Sequence, residues 1–239
     1  MRVLVTGGAK RLGAVIARRL AADGHRLVIH YSRSRDEAEA LASEIHGTAV
    51  QGDLADIGAI AAMFASACDG GRIDGLVNSA SAFEFDAADA IDPALAARLY
   101  AINCTAPVML AAALAAQGGE GAVVNLLDQK LANPNPDFFS YTLSKAALAQ
   151  ATVLMAQAHA PRVRVNAVAP GLTLPSGDQP EDQFSRVASA NLLQRPVEAE
   201  AVADGVAYLL GARSVTGQML YVDCGQRFVR SERDVMFDD

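Results

Sequence analysis

Seven short runs rich in Val, Ile and Leu alternate with helix-length segments along this chain, and that alternation limits its fold more than any other feature. The runs are Arg2–Thr6, Arg26–Tyr31, Thr48–Gln51, Gly75–Asn78, Ala122–Leu127, Val163–Val168 and Met219–Val222. Between them lie helix candidates at Leu12–Asp23, Arg35–Ile45, Ile57–Cys68, Pro93–Gln117, Ser140–His159 and Glu198–Leu210. Short, uniformly apolar strands joined through helices demand a parallel sheet covered on both faces. Asp92-Pro93 supplies an N-cap and a first-turn proline, Gly118-Gly119 a stop, and Ala160-Pro161 ends the helix before it. A chain of 239 residues is long enough to bury the core of one such sheet, so residues 1–239 are read as a single α/β domain.

Composition narrows the function classes. The chain is 51% hydrophobic but only 5% aromatic and lacks Trp, which suits helices packed closely on a sheet and argues against disorder. A formal net charge of −7 without a basic stripe argues against a nucleic-acid partner. Cys68, Cys104 and Cys224 are widely spaced and odd in number, so neither a disulfide framework nor a metal site is expected, and a reducing, cytoplasmic setting is. Met1 to Val5 is too short for a signal peptide; the longest apolar run, Val108–Ala116, reads as a buried helix, so no membrane partner is expected. Gly171–Glu181 is irregular and rich in Pro, Gly and Asp, suiting either a lid over a ligand or an ordinary surface loop.

Thr6-Gly7-Gly8-Ala9-Lys10-Arg11-Leu12-Gly13 follows a strand and opens a helix, the setting in which glycine lets a backbone approach a pyrophosphate at a helix N-terminus. After the second strand, where an acidic residue would grip the ribose of NAD, stand Ser32, Arg33 and Ser34. The guanidinium fork of Arg33 and the two hydroxyls match a 2′-phosphate, so NADPH is the expected cofactor. Further on, Tyr141 and Lys145 are four residues apart on a predicted helix and share one face. An adjacent ammonium and a cationic nicotinamide would together favour the phenolate and make Tyr141 an acid/base near neutrality. Taken alone, such a pair also falls on many helices by chance.

The order of these motifs resembles the short-chain dehydrogenase/reductase family from end to end. That resemblance implies a doubly wound, three-layer Rossmann-type fold with about seven parallel strands. It places Gly7, Arg11, Leu12, Gly13, Asp53, Leu54, Asn78, Ala80, Pro170 and Gly171 with Ser32, Arg33 and Ser34 around the cofactor. It makes Tyr141 the proton donor, Lys145 the residue that binds the nicotinamide ribose and tunes Tyr141, and Asn103 the holder of a relay water.

Three departures from the family pattern narrow the resemblance. Arg11 stands where the loop's middle glycine would be, the fourth strand runs on through Asn78-Ser79-Ala80-Ser81-Ala82 to Phe83, and Asp128 replaces the usual Ser. Together they resemble the pteridine reductases, and imply that Arg11, Phe83, Asp128 and Tyr141 meet a flat pterin. Asp128 also suits a plain strand-end cap. The expected reaction is hydride transfer from NADPH to a C=N bond of a dihydropterin such as dihydromonapterin or dihydrobiopterin. The rivals are a ketone or aldehyde reductase and a dinucleotide-sensing protein without turnover. The helices at Pro93–Gln117 and Ser140–His159 resemble those through which family members form homodimers and homotetramers.

Overall fold

β1 (Arg2–Thr6) shows how the sequence builds the sheet: Val3 and Val5 enter one hydrophobic layer while Leu4 enters the opposite one. A strand buried on both faces needs helices on both, and its period of two shares the side chains between them. The computed structural model describes residues 1–175 and 181–237. β1 is joined by β2 (Arg26–Tyr31), β3 (Thr48–Gln51), β4 (Gly75–Asn78), β5 (Gly121–Leu126), β6 (Val163–Pro170) and β7 (Met219–Val222). The seven pair in parallel in the order β3-β2-β1-β4-β5-β6-β7. Every expected strand is present; β5 starts and ends one residue early and β6 runs on to Pro170.

The helices, in chain order, are α1 (Arg11–Ala22), α2 (Arg35–Glu44), α3 (Ile60–Ala67), α4 (Pro93–Tyr100), α5 (Ala106–Ala116), α6 (Phe139–His159), α7 (Glu181–Ala188) and α8 (Ala199–Gly211). One layer buries Ile16 and Leu20 of α1, Leu41 of α2 and Val206 of α8. The other buries Phe64 of α3, Leu110 and Leu114 of α5 and Met155 of α6.

Two helix expectations need correction. The segment Pro93–Gln117 is not one regular helix, because a π turn at Ala101–Thr105 separates α4 from α5. Such a turn inserts one extra residue, too small a shift to show in the apolar pattern. It carries Asn103, whose side chain is wholly buried. The segment Ile57–Cys68 begins with a 3₁₀ turn at Ile57–Ala59, capped by Asp56, so α3 starts only at Ile60. The caps at the other ends are as expected: the Asp92 side chain accepts from the Ala94 amide at 2.8 Å, and Gly118 and Gly119 take φ of 73° and 74°. α7 was not expected. Of the candidate lid at Gly171–Glu181, residues 176–180 lie outside the described residues.

Strand order reverses between β1 and β4, which opens a crevice beyond their carboxyl ends. Gly7, just past β1, lies so close to the segment after β4 that a Cβ there would come within 2.8 Å of the Ala80 Cα.

Candidate active site

α1 begins without a side-chain cap: Lys10 precedes it in extended conformation, and its first turn holds no acidic residue. The first-turn amides are therefore open to an anion, in the field of a helix N-terminus. Gly13 is required here, since a Cβ would sit 2.2 Å from the Gly7 carbonyl oxygen. Arg11 takes a φ of 52°, in the left-handed region where glycine is at home, and its guanidinium donates to the Pro175 carbonyl. This cradle of close glycines and free amides fits a dinucleotide pyrophosphate.

His30 holds the cradle from below. Its Nδ1 accepts from the Gly7 amide at 3.2 Å and its Nε2 donates to the Gly52 carbonyl at 3.1 Å, which requires a neutral ring protonated on Nε2. Burial pushes its pKa down to about 4.

At the adenosine end, a cavity of about 420 Å³ is lined by Gly7, Lys10, Ser32, Arg33, Ser34 and Asp53. Arg33 is exposed there, whereas Arg35 is engaged with Glu39 at 3.2 Å and over the Tyr31 ring. Lys10, which sequence reasoning passed over, lines both this cavity and the next and pairs with Glu37 at 2.5 Å. Its signal was its place inside the glycine loop. The Leu54 side chain packs in the core beneath, 4% exposed, which leaves its backbone to face the cavity side.

A second cavity of about 420 Å³ brings together Gly7, Arg11, Leu12, Gly13, Ala80, Asp128, Tyr141, Lys145, Pro170 and Gly171. α6 is fixed on this cleft at its start and middle. Asp86, 5% exposed, accepts from the Ser140 amide at 2.9 Å and the Ser140 hydroxyl at 2.5 Å, supplying the missing helix cap from a distant loop. Asn78 donates to Asn125 at 2.8 Å and Asn125 to Thr152 at 2.9 Å, tying β4 and β5 to the helix. Asn78 is thus a brace within the sheet rather than a wall of the cleft.

Tyr141 Oη donates to Asp128 Oδ2 at 2.8 Å, and the Lys130 amide donates to Asp128 Oδ1 at 2.8 Å. Asp128 is therefore both the turn cap and the partner of the phenol. Burial raises its pKa, against the opposing pull of the Lys130 amide, the Tyr141 hydroxyl and the charges of Lys145 and Lys130. The Tyr141 phenol is pushed well above its ordinary value, first by burial and then by the charge and hydrogen bond of Asp128. The charge of a nicotinamide apart, Tyr141 is thus favoured as the neutral phenol that donates to Asp128. Lys145 does not reach the phenol oxygen; its Nζ donates to the Leu126 carbonyl at 2.8 Å, and burial lowers its pKa to about 8. Asn103 has no capacity left in its side chain for a relay water. Its oxygen accepts from the Ser81 hydroxyl at 3.1 Å and the Ala82 amide at 2.9 Å, and its nitrogen donates to the Ala82 carbonyl and Ser144 hydroxyl at 2.9 and 3.0 Å.

Asp128 also faces a smaller cavity, of about 190 Å³, with Phe83 on another wall. Phe83 is 38% exposed, stacks on Phe138 with centroids 4.0 Å apart and meets Tyr141 edge-on at 4.7 Å. Arg11 and Phe83 thus belong to adjoining cavities that share Asp128. Sequence reasoning missed Lys130, Asn133, Asn135 and the segment Val229–Asp234, which complete the smaller cavity. No local signal marks them, because their contacts span some hundred residues.

Residues 7–227 match the family described as enoyl-(acyl carrier protein) reductase. Pteridine reductase 1 of Leishmania tarentolae is 32% identical over 95% of this chain and 96% of its own length. The crystal structure of FolM alternative dihydrofolate reductase 1 from Brucella canis complexed with NADP superposes with a TM-score of 0.92 at 45% identity, covering 98% of this chain and 96% of that one. Its counterpart from Brucella suis, in complex with NADP, gives 0.92 at 44% identity over 98% and 97% of the two chains. Matches of that breadth fix the family: this chain belongs to the short-chain dehydrogenase/reductases and stands among their pteridine-reductase-like members.

Proposed function

We propose that this NADPH-dependent oxidoreductase reduces the C=N bond of a dihydropterin, with Asp128 and Tyr141 acting as one acid. The observation that carries the reading is the Asp128 carboxyl 2.8 Å from the Tyr141 hydroxyl, on the wall shared by the cleft and the Phe83 cavity. NADPH supplies a hydride to the ring carbon, and the adjacent nitrogen then needs a proton. A carboxyl whose pKa is raised by burial can hand over that proton, and the Tyr141 hydroxyl stabilises the carboxylate left behind. A ketone oxygen gathering negative charge would be better served by a neutral donor.

The remaining residues bind and orient. The α1 amides, Gly7 and Gly13 would hold the pyrophosphate, with Lys10 and Arg11 beside it; Arg33, Ser32 and Ser34 would hold the 2′-phosphate. Asp53 would meet the adenine and Lys145 the nicotinamide ribose, with Leu12, Ala80, Pro170 and Gly171 closing the cleft. Phe83, backed by Phe138, would support one face of the pterin. A homodimer or homotetramer in a reducing cytoplasm is part of the same proposal, supported by exposed Leu143 and Leu154 on α6 and checked by light scattering.

The test is NADPH oxidation across dihydrobiopterin, dihydromonapterin, dihydrofolate and small ketones. Turnover of the dihydropterins is expected. Turnover of ketones alone would leave a general carbonyl reductase, and none at all would point to a dinucleotide sensor.

A further inference from the structure

After β7 the chain doubles back across the smaller cavity. Asn133 donates to the Val229 carbonyl at 2.7 Å and Asn135 to the Arg233 carbonyl at 3.1 Å. The Asp137 carboxylate, in a residue 5% exposed, accepts from the Asp234 amide at 2.7 Å and from Arg233 Nε at 2.8 Å. Phe237 packs on Phe85 and Phe138, the ring that backs Phe83. Val229, Arg230, Ser231 and Asp234 thereby become one wall of the cavity that Asp128 and Phe83 form on the other side.

Lys130 stands where the two walls meet. Only 4% of it is exposed, and its ammonium donates to the Asp137 carbonyl at 2.8 Å and to the Asp234 carboxylate at 2.9 Å. A buried ammonium is costly unless paired, and both of its bonds go to groups that hold the returning segment in place. Its own backbone amide, meanwhile, holds the other oxygen of Asp128.

We infer that Lys130 is a positioning residue, whose amide fixes the Asp128 carboxyl while its ammonium clamps Val229–Phe237 into the wall of the substrate cavity. The role in substrate binding rests on the dihydropterin reading; the clamp itself does not. Among the described residues, the charges of Lys130 and Lys145 favour the ionised Asp128 carboxylate and that of Asp234 disfavours ionisation of the phenol, while Arg11 lines the same cleft. Removing Lys130's charge should therefore tighten the pair's hold on its proton, and removing Asp234's should loosen it. A merely structural clamp would move neither.

The experiment compares the full-length wild type with Lys130→Met, Lys130→Arg and Asp234→Asn. Steady-state rates are measured with NADPH and dihydrobiopterin across pH, and hydrogen exchange at the Asp234 amide. Lys130→Met should raise KM for dihydrobiopterin about tenfold or more and leave that for NADPH within about twofold, with Lys130→Arg restoring most of the loss. The pH at which kcat falls on the alkaline side should rise in Lys130→Met and drop in Asp234→Asn. Exchange at Asp234 should quicken about tenfold in Lys130→Met. An unchanged KM, or alkaline limbs that move together, would overturn the inference. Should wild type fail to turn over dihydrobiopterin, the dihydropterin reading falls by itself, and equal exchange at Asp234 in wild type and Lys130→Met would then overturn the clamp. Should Lys130→Met not fold, Asp234→Asn carries the test: an alkaline limb that does not drop overturns the inference.

Discussion

The two ends of the cleft are built on opposite terms. At the catalytic end Tyr141 and Lys145 are 6% and 3% exposed, and their polar groups are already bonded, to Asp128 and to the Leu126 carbonyl. At the adenosine end Arg33 and Ser32 are exposed, and Arg33 has no hydrogen-bond or ion-pair partner among the described residues. The difference follows from desolvation. A buried polar group left unpaired costs a few kcal/mol, so the enclosed end must be satisfied by the protein itself. An exposed guanidinium keeps its water until a phosphate displaces it. Changes at the buried end should therefore register in turnover, proton affinity and folding, and changes at the rim in the choice of cofactor.

The largest effect expected is on turnover. Tyr141→Phe removes the hydroxyl that stabilises Asp128, and kcat should fall by about two orders of magnitude or more while NADPH titrations stay close to wild type. A variant that kept most of its kcat would break the contrast at its catalytic end.

Next comes stability. His30 is 2% exposed and its pKa is lowered from 6.5 to about 4, so between those values the unfolded chain binds a proton that the folded chain refuses. Its contribution is fully present above pH 6.5 and is lost as pH falls towards 4, by about 3 kcal/mol. Urea unfolding at pH 7.5 and 4.5 should show that much less loss in His30→Gln than in wild type; equal losses would remove His30 from the set of buried, pre-satisfied groups.

At the rim, Arg33→Ala should weaken NADPH binding by about 1.5 to 3 kcal/mol, leave NADH nearly unchanged, and narrow its gap from wild type as salt rises. Equal losses for both cofactors would show that Arg33 does not read the phosphate. The smallest effect belongs to Phe83, between the extremes at 38% exposed. Phe83→Ala should raise KM for a dihydropterin by a factor worth about 0.5 to 1.5 kcal/mol, and that for NADPH less.

The same contrast separates what the sequence disclosed from what it concealed. Strands β1 to β7 were legible because a two-sided parallel strand is a local apolar run, and the glycine loop because Gly7 and Gly13 are demanded by backbone contact. Tyr141 and Lys145 were legible through the order of the motifs around them, since their spacing alone falls on many helices by chance. Their setting was not: Asp86 caps α6 from a loop 54 residues away in sequence, and Asp234 reaches Lys130 across 104. Asn103 was legible as a residue, but the bonds that occupy its side chain were not, because they depend on a π turn that leaves the apolar pattern intact. The immediate partners of Tyr141 were concealed for a related reason. Helical spacing placed Lys145 near the phenol, but only the folded chain shows its ammonium turned to Leu126 and Asp128 turned to Tyr141.

The most direct test of a buried acid pair serving a pterin is kcat/KM with NADPH for wild type and Asp128→Ser, on dihydrobiopterin and on a small ketone. Serine keeps a neutral donor beside Tyr141 but removes the carboxyl that gives up the proton. The ratio of pterin to ketone activity should fall by about tenfold or more in the variant, with ketone reduction kept or improved. An unchanged ratio, with Asp128→Ser reducing dihydrobiopterin as well as wild type does, would contradict it.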